Sequence, residues 1–359
     1  MLKKLLLIIL IPVLLTGCGK KTQNELTFAS WGSITEVGIL KQVIKNYESE
    51  NPNIKINFMH IPQNYFQKIH LLFASNTPPD VIFINNLNLP MYEKYLTDLS
   101  EEINKDEFFE PAIKGLSYDN KILAAPRDIS ELVFYVNLDK TKLPNTDWKI
   151  EDLVKYRYKD SFTVSYENDI YSALPYLSYF GGGIFDKDFN LIINEEKSKK
   201  AIEFYKDLKN KYKIAPSKSQ VGSSTLAQMF LDGKIVFYLS GRWMYPKISE
   251  KANFNWAVIN FPYGESALLC DASGWAVTKG ALNKSEALKF VKYLSGKRTS
   301  KYFAKTGLIV PARIDTIQLL NNKNHNEKVF FDIIERSKNT PVNKEYKRLT
   351  DKINSELDL

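Results

Sequence analysis

Residues Leu26–Ile84, LTFASWGSITEVGILKQVIKNYESENPNIKINFMHIPQNYFQKIHLLFASNTPPDVIFI, decide the fold. Leu26-Thr-Phe-Ala-Ser-Trp31 has the apolar, β-branched and aromatic character of a strand and breaks at Trp31-Gly32-Ser33. Val37, Leu40, Val43, Ile44 and Tyr47 then recur at helical spacing until Asn51-Pro52 stops the pattern. Ile54-Lys-Ile-Asn-Phe58 alternates as a second strand, and Tyr65 to Ala74 returns to helical period. Thr77-Pro78-Pro79 ends that helix, and Asp80-Val-Ile-Phe-Ile84 reads as a buried strand. The resulting βαβαβ order predicts a mostly parallel sheet with helices on its faces. Ligands of such sheets sit beyond the carboxyl ends of the strands, where Trp31 and Asn85-Asn86 stand.

The rest of the chain is equally mixed. Val133-Phe-Tyr-Val-Asn137, Ile235-Val-Phe-Tyr-Leu239 and Trp275-Ala-Val-Thr278 read as strands, while Lys199–Lys211, Leu226–Leu231 and Ser285–Leu294 read as helices. No Pro/Gly/Ser-rich linker divides the sequence, so two lobes that exchange strands fit it better than separate beads.

The chain has 359 residues, 44% hydrophobic and 25% charged, the balance of a folded globular protein. Its net charge of +8 comes from lysines interleaved with acids; there is no dense basic run or nucleic-acid-binding motif, and no nucleic acid is expected as a partner. Two cysteines make no disulfide framework, and three dispersed histidines make no metal cluster. No phosphate-binding loop, zinc-protease helix, nucleophile elbow or dinucleotide fingerprint occurs, so no cofactor, metal or catalytic residue is expected. Asp186-x-Asp188-x-Asn190 imitates a calcium loop, but Leu191 and Lys197 replace its glycine and its bidentate glutamate; it reads as a polar turn.

The amino terminus reads as an address. Lys3 and Lys4 precede the apolar run Leu5–Leu15, too short to span a bilayer, and Leu15-Thr-Gly-Cys18 resembles a bacterial lipobox. Residues 1–17 are therefore expected to be a lipoprotein signal peptide, Cys18 a lipidated residue, and residues 18–25 a polar tether to the membrane. Cys270 is left as a small buried apolar residue.

Aromatic and hydrogen-bonding residues gather at the ends of the predicted strands: Trp31, Asn85, Asn86, Arg127, Asp128, the glycine turn Tyr179-Phe-Gly-Gly-Gly183 with Gly182 at its centre, Arg242, Trp243, Gly274 and Trp275. Flat apolar faces combined with amides, carboxylates and guanidinium groups suit a polyhydroxylated ligand.

Several short motifs share one order with a known family. Ala74-Ser-Asn-Thr-Pro-Pro-Asp80-Val, Tyr95-Leu-Thr-Asp-Leu99, Ala-Pro126-Arg-Asp128, Phe134-Tyr-Val-Asn137, Asp147-Trp148, Phe180-Gly-Gly182, Asp232-Gly-Lys234, Ser240-Gly-Arg-Trp243 and Gly307-Leu-Ile-Val-Pro-Ala-Arg313 resemble those of the bacterial extracellular solute-binding proteins of family 1, carbohydrate-capturing lipoproteins of ABC importers. The resemblance implies a two-lobed α/β periplasmic-binding-protein-like fold of type II, a cleft between the lobes, three crossovers and no enzymatic activity. It places residues 26–127 and 274–311 in lobe 1 and residues 128–273 and 312–359 in lobe 2. It also implies a carbohydrate ligand, delivery to the permease subunits of an importer, a monomer on the outer side of the cell membrane, and ligand contacts from Trp31, Asn86, Arg127, Asp128, Trp243, Gly274 and Arg313. One departure is that Asn85-Asn86 stand where the family often carries acids. Two alternatives stay open: an anionic solute such as glycerol phosphate, suggested by Arg127, Arg242 and Arg313, and a secreted glycan hydrolase.

Overall fold

The computed structural model describes residues 24–264, 266, 268–319 and 325–356; the signal segment, Cys18 and nearly all of the tether lie outside the described residues. β1 (Glu25–Ser30), β2 (Lys55–His60) and β3 (Val81–Asn85) pair in parallel through the helices Ile34–Glu50 and Tyr65–Ala74. The first helix starts on a reciprocal cap: the Glu36 backbone N–H donates to the Ser33 hydroxyl, and the Ser33 N–H donates to the Glu36 carboxylate. Leu40, Val43, Ile44 and Tyr47 form its buried stripe, as their spacing predicts.

β4 (Ser117–Tyr118) and β5 (Lys121–Ile122) make a small hairpin ahead of β6 (Ala125–Glu131). A single residue, Leu132, separates β6 from β7 (Val133–Asn137), which opens a second sheet with β8 (Phe162–Val164), β9 (Ile235–Ser240) and β10 (Trp256–Asn260). The chain returns through β11 (Leu268–Val277), then β12 (Val310–Pro311) and β13 (Ser337–Asn339).

The larger sheet has the order β12-β6-β11-β3-β1-β2 with β13 also on β11, and the smaller one the order β10-β7-β9-β8. The larger sheet is mixed where the sequence predicts a mostly parallel one. β11 re-enters it from the second sheet and runs antiparallel to both β3 and β6. Residues 128–131 and 268–273, expected beyond the crossovers, pair inside the larger sheet. The chain changes sheet at Leu132 and within residues 261–267, rather than at 127/128 and 273/274. Arg313 likewise stays with the larger half, bridged to Phe108; only after β13 does the helix Tyr346–Glu356 pack on the helix Ile170–Tyr179.

One apolar core runs across the larger sheet and onto one face of the smaller, including Phe28, Phe83, Trp275, Phe290 and Tyr135. A second, with Phe134, Phe237, Tyr176, Tyr205 and Phe261, fills the other face of the smaller sheet. Among the described residues no helix is long and apolar enough to cross a membrane.

Candidate functional site

A groove of about 970 Å³ lies between the two sheets. The larger half contributes Asn86, Leu89 and Pro90, just after β3, together with Glu110, Lys114 and Tyr118. The smaller half contributes Leu174, Leu177, Ser178, the turn Gly181-Gly-Gly183, Phe185 and Phe189, and the connecting strands close the back with Leu269, Asn339 and Thr340. A smaller cavity of about 30 Å³ shares Leu174, Ser178, Ser266, Leu269 and Thr340 with the groove and adds Ser130, Tyr171, Tyr179, Phe261 and Asp271. The lining thus mixes aromatic and aliphatic faces with hydroxyls, amides and a few charges, the chemistry of a site that orients a polar ligand.

Three of the residues singled out from the sequence line these cavities. Asn86 is buried: its backbone N–H donates to the Ala272 carbonyl at 2.9 Å, its side-chain oxygen accepts from Ala272 N–H at 3.0 Å, and its amide donates to Asp271 at 3.0 Å. Gly182 sits where a Cβ would lie 2.7 Å from the Ser198 backbone, so the glycine turn packs directly on the helix Glu196–Asn210. The Tyr179 hydroxyl donates to Glu151 at 2.8 Å, and burial, then the Glu151 carboxylate, push it up to about 12.

The others are placed elsewhere. Trp31 is 43% exposed, with one side of its ring supported by Phe83 at 5.5 Å and Tyr65 at 6.5 Å. Trp243 is 41% exposed and packs against Gly241. Both tryptophans have the supported-and-open form of a stacking platform, although neither lines the groove. Asn85 turns back to accept from the Asn88 amide at 2.9 Å. Asp128 accepts from the Ser273 hydroxyl and lies 3.9 Å from Arg127. Gly274 lets β11 approach the Ala125 carbonyl on β6. Trp275 is a core residue, wholly buried edge-on to Phe28 and Phe83.

Sequence reasoning missed Asp271, Tyr171 and Thr340, which line the floor cavity together: Asp271 accepts from the Asn86 amide at 3.0 Å, and burial, the largest influence, holds its carboxyl above the ordinary range. A carboxylate inside Leu268-Leu-Cys-Asp-Ala272 was the available signal. Cys270, next to it, is buried with its thiol pushed up to about 12, which suits an inert packing residue. Asp186–Asn190 is a polar turn: Asp186 accepts from the backbone of Asp188 and Asn190, between the bridge partners Phe185 and Leu191.

The family model described as bacterial extracellular solute-binding protein matches residues 42–324. The chain belongs to that family. Solute-binding proteins of this kind bind their ligands rather than convert them, and the family is not one of enzymes. The arabinooligosaccharide-binding protein of Bacillus subtilis is 25% identical over 244 residues, 59% of this chain and only 55% of the relative's own length. A Listeria monocytogenes ABC substrate-binding protein, solved in complex with cycloalternan, has a TM-score of 0.85 at 22% identity, covering 93% of this chain and 92% of that one. The GacH receptor of Streptomyces glaucescens, solved unliganded and with acarbose, reaches 0.82 at 20% identity with 93% and 92% covered. The two-lobed binding-protein fold expected from the sequence is the fold of these neighbours.

In this solute-binding chain all three arginines considered for a ligand are engaged by the protein itself. Arg127 donates to Glu36 at 2.5 Å and packs over Phe83, Trp275 and Phe303. Arg242 is paired with Glu327 and donates to the Ile309 carbonyl at 3.1 Å. Arg313 donates to Glu107 at 2.7 Å and to Asp315 at 3.0 Å. The first two pairs are buried, whereas Arg313 is buried against the half-exposed Glu107 and the partly exposed Asp315; each guanidinium charge is already balanced.

Proposed function

We propose that this solute-binding protein captures a neutral oligosaccharide outside the cell membrane and passes it unchanged to the permease of an ABC importer. The single observation carrying the ligand class is the groove, which has room for more than one sugar ring and offers hydroxyl, amide and aromatic partners. Balanced arginines give no reason to prefer an anion. The names of its relatives agree: an arabinooligosaccharide-binding protein, and structures holding cycloalternan and acarbose.

In this reading the larger lobe is built on β1–β6 with β11–β13 and the smaller on β7–β10. The ligand bridges the lobes and so binds the closed arrangement better than the open one. Trp31 and Trp243, both part-exposed, are the proposed stacking platforms. The lipobox-like Leu15–Cys18 supports anchoring through acyl chains on Cys18, and the folded body acts as a monomer.

Titration calorimetry of the chain with arabinotriose, maltotriose, cycloalternan, glycerol 3-phosphate and spermidine tests the ligand class. Saturable heat with at least one of the three sugars is the expected result. Heat only with the phosphate ester or the polyamine, with every sugar silent, would refute it.

A further inference from the structure

Among the described residues, six non-glycine positions have a positive φ. Four of them are Asn or Asp, which tolerate that backbone; one, Phe189 at +62°, is aromatic. Glycine would fit the same turn without strain, so the turn itself has no use for the ring. Its shape is fixed by the acid at its start. One Asp186 carboxylate oxygen accepts from the backbone N–H of Asp188 at 2.8 Å and of Asn190 at 2.9 Å, and the other accepts from the Asn190 amide at 2.9 Å. The Phe189 N–H donates to the Asp186 carbonyl at 3.1 Å, and behind the turn Phe185 and Leu191 bridge. The sequence that imitates a calcium loop is closed by its own hydrogen bonds, and it presents Phe189.

The ring is not packing. Phe189 is 51% exposed, whereas Phe185, its neighbour in the groove lining, is 5% exposed. Across the groove the larger half offers Tyr118, on the β4–β5 hairpin, with Glu110 and Lys114. The floor cavity shares Leu174, Ser178, Leu269 and Thr340 with the groove but none of residues 181–192, so Phe189 stands away from the floor, toward solvent. A single exposed ring needs no explanation; one kept on strained backbone at the edge of a binding groove does.

We infer that Phe189 is a stacking residue at the mouth of the groove, met by the outer unit of a sugar chain whose other end lies at the floor, and that it favours oligosaccharides over disaccharides. The C–H face of a sugar ring is apolar and flat, as the exposed face of a phenyl ring requires. A disaccharide seated at the floor falls short of Phe189; a longer chain reaches it. The inference rests on the reading of the groove as a sugar cleft.

It is tested by calorimetry of the wild type, Phe189→Gly and Phe189→Asn with maltose against maltotetraose and arabinobiose against arabinotetraose. Both substitutions suit the left-handed backbone and remove the ring. The expected result is that the preference for the tetrasaccharide over the disaccharide falls about fivefold in both variants, the loss of one aromatic contact. Melting temperatures should not fall, because the substitutions relieve strain rather than open a core; Phe189→Trp should keep the preference. A lower melting temperature with the length preference intact would show the ring to be packing and overturn the inference. So would an unchanged preference in folded variants, with the sugar reading left standing. If none of the four sugars binds the wild type, the sugar reading and the inference fall together.

Discussion

Trp275 and Trp243 end similar strand-and-glycine motifs, yet their surroundings are opposite. Trp275 is 0% exposed and Trp243 41% exposed. Trp275→Ala should cost about 3–5 kcal/mol of stability, read from denaturant unfolding, because a large buried ring leaves a cavity. Trp243→Ala should keep the wild-type unfolding midpoint and weaken sugar binding at least tenfold; a collapse of stability instead would show the ring to be packing. Glu131 has a different consequence. It lies at the end of β6, 4% exposed, with no hydrogen-bond partner for either carboxylate oxygen, and burial pushes it up to about 8 against the pull of Arg242. A raised carboxyl stabilises the fold below its unfolded value near 4.5, and that contribution is lost as pH rises through 8. Relative to Glu131→Gln, the wild type should therefore lose on the order of 4 kcal/mol between pH 5 and 9. Unfolding curves whose difference stays constant with pH would contradict this. The arginines show what single residues hide from sequence reading. Arg242 and Arg313 follow strands as ligand-binding residues would and Arg127 lies within β6, but their acids Glu327, Glu107 and Glu36 are 85, 206 and 91 residues away. A long-range ion pair leaves no local trace.

Among the elements, the helix Ile34–Glu50 was legible through its buried stripe, a local pattern, while its first turn and its Ser33–Glu36 cap went unread. β11 was legible only at its carboxyl end. Leu268-Leu-Cys-Asp-Ala-Ser-Gly274 contains Asp, Ser and Gly, poor strand formers, and is extended because β6 and β13 flank it. With that half of the strand went Asp271, and so the floor of the site. Gly274 is where β11 depends on having no side chain, since a Cβ there would meet the Ala125 carbonyl and lie 2.9 Å from Leu116. Gly274→Ala should force β6 and β11 apart and destabilise the protein by about 1–3 kcal/mol, as overpacked sites do. Thermal melts measure it, and an unchanged midpoint would mean that the register at the Ser273/Gly274 irregularity relaxes freely.

For the whole molecule, the order of motifs along the chain conveyed the family and the two-lobed fold, while the sheet directions and crossover points escaped it. Direction depends on which strand returns between which neighbours, and β11 inserts between β3 and β6 from the far side of the second sheet. The smaller sheet draws all four of its strands from one uninterrupted block, β7 to β10. The larger sheet acquires its middle strand only after that block has passed. Pairings across such long sequence separations form slowly. During refolding the inner block is thus free to organise early, and the outer half keeps β3 and β6 apart, with their edges open to neighbouring chains, until β11 threads in between.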